Sequence, residues 1–119
     1  MTKITRPKIL NGTTEKLKTG CGSLYVTICL NGDKPIEVFA KLGKAGGCSS
    51  CQNEALTRAI TLGLKHDVSV RDFIDELKGL RCPNPNMIPK EDVCLSCADG
   101  IARALQMYDK ETDEKAEIP

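Results

Sequence analysis

The spacing of apolar positions changes period part-way along the chain. Leu24, Val26, Ile28 and Leu30 alternate with Tyr25, Thr27 and Cys29, and Ile36, Val38, Ala40 and Leu42 repeat the two-residue period. Such alternation puts one set of side chains on one face of a strand. Asn31-Gly32-Asp33 between the runs tolerates positive φ, so the pair predicts an antiparallel hairpin. Residues 13–19 predict a third, edge strand with its lysines facing out.

From Ser49 the period is helical. Leu56, Ile60 and Leu64 stack four apart beside Ala55, Ala59 and Gly63, which predicts one apolar stripe with a close-packing edge. Ser49 with Gln52 has the spacing of a capping box. A second helix is signalled by Ser69 as cap, Asp72 three residues on, and Val68 placed to staple against Phe73; it should stop near Gly79. Residues 82–89 hold three prolines and predict a stiff loop. A third helix follows from Ser96 or Cys97, with Ala98, Ile101, Ala102 and Leu105 facing the core. Strands followed by helices, without alternation of the two, predict an α+β fold: a small antiparallel sheet of two or three strands covered by about three helices. The chain divides into an extended arm over 1–12, one domain over 13–109 and a disordered, charged tail over 110–119.

Composition narrows the function classes. With 17 basic and 16 acidic residues the formal charge is +1, and aromatics are 3% of the chain, too few for a stacking platform. That predicts no nucleic-acid partner. No run approaches the roughly 18 apolar residues of a membrane span, and the N-terminus lacks a signal-peptide core. Seven cysteines in 119 residues would suit a disulfide framework only in a secreted chain with an even count, so a reducing, cytoplasmic setting is expected. Hydrophobic residues make up 40%, enough for a modest core that a bound metal would reinforce.

Six of the cysteines cluster as Cys21, Cys48-x-x-Cys51, Cys82 and Cys94-x-x-Cys97. Two sulfurs on one turn can share an ion, and helix starts stabilise thiolates, so spacing favours a tetrahedral site of Cys48, Cys51, Cys94 and Cys97. Zinc is preferred to an iron–sulfur cluster because a closed four-thiolate site suits it. Dithiol–disulfide cycling is the competing chemistry, and plain burial as small hydrophobes is the bland one. Cys29 reads as packing, and His66, at a polar helix exit, as a cap or a solvated side chain. With no other histidine, no hydrolase constellation assembles. Residues 43–47 are glycine-rich ahead of a helix but do not match a phosphate-binding loop; a tight strand-to-helix turn is the simpler reading.

Four stretches together resemble a known family: Thr19-Gly20-Cys21-Gly22-Ser23-Leu24-Tyr25, Phe39-Ala40-Lys41-Leu42-Gly43 continuing to Cys48, Leu77-Lys78-Gly79-Leu80-Arg81-Cys82-Pro83, and Ser96-Cys97-Ala98-Asp99. They resemble the TSCPD domain, which closes the C-terminal end of vitamin B12-dependent (class II) ribonucleotide reductases. The likeness runs from about Arg6 to Tyr108. The family's name motif reads Ser-Cys-Pro-Asp, and Ala98 replaces its proline here. The resemblance implies Cys21, Cys48, Cys82 and Cys97 as metal ligands, with Cys51 and Cys94 as additions: alternative ligands, or free redox thiols beside the metal. A more distant likeness to iron–sulfur scaffold proteins of the IscU and NifU type implies an IscU-like sandwich with its cysteines at one end.

The resemblance further implies an accessory subunit or detached C-terminal domain rather than a complete enzyme, since the chain is too short for the reductase barrel. The implied partner is the catalytic subunit of a class II ribonucleotide reductase, through which alone adenosylcobalamin would be met, with a thioredoxin-type reductant as a further partner. Two other readings stand beside it: a stand-alone zinc, iron–sulfur or thiol redox protein, and an interaction or nucleotide-sensing module.

Overall fold

The computed structural model describes residues 3–43 and 48–109. The alternating runs form β1 (Asn11–Thr19), β2 (Gly22–Asn31) and β3 (Lys34–Leu42), antiparallel in the order β1-β2-β3. Gly32 takes φ +68° in the β2–β3 turn, which explains glycine there. Register pairs Leu24 with Leu42 and Ile28 with Val38, all buried, while Tyr25 opposite Lys41 and Thr27 opposite Phe39 share the other face. A register shift between Cys29 and Leu30 bends the hairpin near its turn. The strand predicted over 13–19 is present and begins earlier, at Asn11, so the last two residues of the predicted arm belong to the sheet.

Three helices follow: α1 (Cys48–Lys65), α2 (Val70–Leu77) and α3 (Cys97–Leu105). The predicted α+β architecture of a small antiparallel sheet with three helices is therefore observed. Leu24, Val26 and Ile28 of β2 meet Ile60 and Leu64 of α1, Ile74 of α2, and Ile101, Ala104 and Leu105 of α3 in one core. Ser69 caps α2 by accepting from the Asp72 amide at 3.1 Å, as its sequence signal predicts. Gly79, past the end of α2, takes φ +89°. Gly63 gives α1 its close-packing edge, since a Cβ there would lie 2.5 Å from the Phe73 ring.

Two predictions about α1 need correction. The helix begins at Cys48, so Ser49 lies inside its first turn instead of capping it. Its buried positions are Asn53, Thr57, Ile60 and Leu64, whereas Ala55 and Ala59 are exposed. Helix α1 lies along the β3 edge, where Thr61 Oγ1 accepts from the Val38 amide at 3.0 Å and donates to its carbonyl at 3.2 Å. That docking turns the 53–57–60–64 stripe inward, two polar residues included, and blunts an open strand edge.

The N-terminal segment is tied down. The Ile4 amide donates to the Lys65 carbonyl at 2.9 Å, and buried Glu37 accepts from Arg6 at 3.0 Å and Lys65 at 3.3 Å. The glycine-rich turn expected over 43–47, beyond its first residue, and the tail expected over 110–119 lie outside the described residues.

Candidate metal centre

The four cysteines implied by the resemblance stand at different points of the fold. Cys21 stands in the turn between β1 and β2, Cys48 opens α1, Cys82 follows α2, and Cys97 opens α3. The four line a single cavity of about 310 Å³, together with Gln52, Asn53 and Ser96. Cys51 and Cys94 do not line it. The spacing quartet is thus not gathered around this cavity, whereas the quartet implied by resemblance is.

The close approach of two loops sets the positions of Cys21 and Cys82. A Cβ on Gly20 would sit 1.8 Å from the Asn84 carbonyl oxygen, so only glycine lets the β1–β2 turn meet the proline-rich loop. Asn84 clamps them: its Nδ2 donates to the Gly20 carbonyl at 2.7 Å and lies 3.9 Å from Cys21 Sγ, and its backbone amide donates to Cys82 Sγ at 3.3 Å. The Cys82 amide in turn donates to the Leu95 carbonyl at 3.0 Å, fixing the loop against the start of α3.

Within the Ser96-Cys97-Ala98-Asp99 segment, Ser96 and Asp99 each hold the start of α3 in place. Ser96 Oγ accepts from the Asp99 amide at 3.0 Å, capping α3, and donates to the Leu80 carbonyl at 2.7 Å. Asp99 is fully buried and accepts from the Gly79 amide at 2.9 Å, the Leu95 amide at 3.0 Å and Arg103 Nε at 2.8 Å. Burial pushes its carboxyl up, but Arg103 and the two amides prevail and hold it below the ordinary value. The carboxylate therefore binds the two ends of the 79–95 loop to α3, with Cys82 inside that loop and Cys97 on the helix.

Cys97 is half-buried. Burial pushes its thiol up, and the neighbouring Cys21 and Cys82 push the same way. Asn53 opposes them. Among the described residues its Nδ2 has no hydrogen-bond partner, and Asn53 lines the same cavity as Cys97. Thiolates gathered here would repel one another, and a bound cation would relieve that repulsion.

Cys94, expected as an alternative ligand or redox thiol, is buried. The short bridge between Asn86 and Cys94 turns its side chain inward, where it is 1% exposed, donates to the Ser96 carbonyl at 3.2 Å and would lie 3.1 Å from a Cβ on Gly100. Burial pushes this thiol up, away from the thiolate that redox exchange needs. Cys51 is exposed on α1. Cys29 is partly buried on the outer face of β2, and His66 is exposed just after α1.

No group of three or more His, Cys, Asp or Glu side chains among the described residues stands arranged to hold an ion as it is. The fit to a metal rests on the donor set. Four soft sulfurs surround one cavity, and the only buried side-chain donor or acceptor without a partner among the described residues, Asn53 Nδ2, lines that cavity too. Thiolates of this kind suit zinc or an iron–sulfur cluster.

The family model described as the TSCPD domain matches residues 2–109. The chain belongs to the TSCPD family. That membership links it to ribonucleotide reductases in kind. No curated protein and no solved structure matches the chain. No described helix is long and apolar enough to cross a membrane.

Three residues of this TSCPD site escaped sequence reasoning. Asp99 had a readable signal, the Ser-x-x-Asp spacing that ends the name motif. Asn53 had a weaker one, a polar residue four before Thr57 and seven before Ile60 on the stripe that proves to be buried. Asn84 had none, because its clamp spans 64 residues of sequence to Gly20.

Proposed function

We propose that this chain is an accessory module of a cobalamin-dependent ribonucleotide reductase, in which Cys21, Cys48, Cys82 and Cys97 hold one structural zinc ion. The observation that carries the metal reading is the convergence of these four thiols, from four separate points along the chain, on one cavity. When bound, zinc supplies a closed tetrahedral cross-link and no redox chemistry of its own. The chain's own residues arrange the site: Gly20 and Asn84 bring the first and third ligands together, and Ser96 and Asp99 fix the third and fourth.

Membership of the TSCPD family supports the reductase setting. The accessory role is docking or regulation of a catalytic subunit, with adenosylcobalamin and the nucleotide held by that partner, in the cytoplasm. A thioredoxin-type exchange at Cys51 and Cys94 is the weaker reading, because Cys94 is buried and Cys51 lies outside the cavity.

Elemental analysis of reduced, tag-free protein should give about one zinc per chain. Cys21→Ser and Cys82→Ser should each lose the metal, while Cys51→Ser keeps it. Thiol labelling of zinc-loaded native protein should modify Cys51 readily, spare the four ligands, and reach Cys94 only on unfolding. Retention of zinc by Cys82→Ser together with its loss from Cys51→Ser would reject this ligand set. Association with a purified cobalamin-dependent catalytic subunit, by analytical ultracentrifugation, tests the partner; no complex formed with or without nucleotide would remove the accessory role.

A further inference from the structure

Asn53 sits in the first part of α1, is 5% exposed, and contributes to the wall of the cavity that the four cysteines line. A carboxamide carries two N–H donors, and buried donors in native proteins nearly always find an acceptor. Among the described residues its Nδ2 finds none, although the next buried polar residue on the same stripe, Thr57, is satisfied by the Asn53 carbonyl at 3.0 Å and the Glu54 carbonyl at 3.2 Å. Packing alone does not explain the asparagine, since a leucine would fill similar space without stranding a donor.

Four sulfurs line the cavity beside Ser49, Gln52 and Ser96, and the Ser96 hydroxyl is already engaged with the Asp99 amide and the Leu80 carbonyl. A neutral thiol accepts hydrogen bonds weakly, whereas a negatively charged sulfur accepts a charge-assisted bond. We infer that Asn53 is a positioning residue of the cysteine site, whose Nδ2–H donates to a cysteine sulfur of this cavity once that sulfur is a metal-bound thiolate. The site is thereby biased toward charged, metal-bound sulfur and against a dithiol–disulfide cycle. This rests on the four-cysteine reading above and adds to it a residue outside the ligand set, in the manner of outer-sphere partners that orient and tune metal ligands.

The test uses Co²⁺ as a spectroscopic substitute, in the wild-type chain and in Asn53→Leu. A hydrogen bond withdraws electron density from the sulfur and raises the energy of the sulfur-to-cobalt charge-transfer band. Removing the donor should shift that band to lower energy and weaken Co²⁺ binding by about 10- to 100-fold, with the far-ultraviolet circular dichroism unchanged. A band and an affinity that both match the wild type overturn the proposal. If Asn53→Leu does not fold, the wild-type chain loaded with ¹¹³Cd²⁺ decides: a scalar coupling between the metal and an Asn53 side-chain amide proton supports it, and an uncoupled, rapidly exchanging amide overturns it. A wild-type chain that takes up neither ion removes the metal reading and this one together; uptake with an indifferent Asn53 removes this one alone.

Discussion

Asp99 shows how one side chain can carry a family motif's structural role. Its carboxylate is buried, yet it is held in the charged form by Arg103 and by the Gly79 and Leu95 amides. Truncating it leaves two amides without acceptors and an arginine without its partner. Because Arg103 stays about a third exposed, Asp99→Ala should cost about 3 kcal/mol, the lower end of what a broken buried pair costs. Urea unfolding measures this directly. The pH dependence has a definite sign. The folded-state pKa of Asp99 is depressed below the ordinary 3.8, so its stabilisation is complete above that value and disappears as pH falls through the lower, folded-state pKa. The gap between wild type and Asp99→Ala should therefore be constant from neutral pH to about pH 5 and narrow below it. A gap that stays constant under acid conditions would show that Asp99 does not carry this charge-dependent term.

At the scale of elements, what was legible in the sequence followed local periodicity. The β2–β3 hairpin was readable because alternation and Asn31-Gly32-Asp33 are both local signals, and α2 was readable from Ser69 and Asp72. The buried face of α1 was misread, with Ala55 and Ala59 placed inward, because docking along the β3 edge through Thr61 rotates the helix. A tertiary contact thus overrode apolar periodicity. The site divides in the same way. Spacing singled out two C-x-x-C pairs, but a pair on one helical turn need not face one cavity, and the Asn86–Cys94 bridge turns one member into the core. What gathers the cavity cysteines is contact between loops distant in sequence, and its tightest point is Gly20 against Asn84. Gly20→Ala should force these loops apart. The expected cost is about 1–3 kcal/mol, typical of overpacking, together with weaker metal binding, because the turn holding Cys21 moves away from the loop holding Cys82. Calorimetric metal titration beside urea unfolding checks both; a loss of stability with unaltered metal affinity would show that the turn does not position Cys21.

For the molecule as a whole, the four proposed ligands stand at positions 21, 48, 82 and 97 and so tie the sheet, α1, the proline-rich loop and α3 to one point. Those parts share a core of mostly aliphatic side chains, because aromatics make up only 3% of the sequence. An ion that binds the folded chain and not the unfolded one stabilises it by about 2.7 kcal/mol when free metal is a hundred times Kd. In a domain of roughly 100 residues each kcal/mol moves Tm by about 4–8 °C. Zinc removal by a chelator, with thiols kept reduced, should then lower Tm by about 10–20 °C, and restored zinc should return it. The same chelator should leave the Tm of Cys82→Ser where it was, since that variant has already lost the ion. An unchanged wild-type melt after metal removal verified by elemental analysis would mean that the core alone holds these parts together, and that a metal bound by the four cysteines does not stabilise the fold.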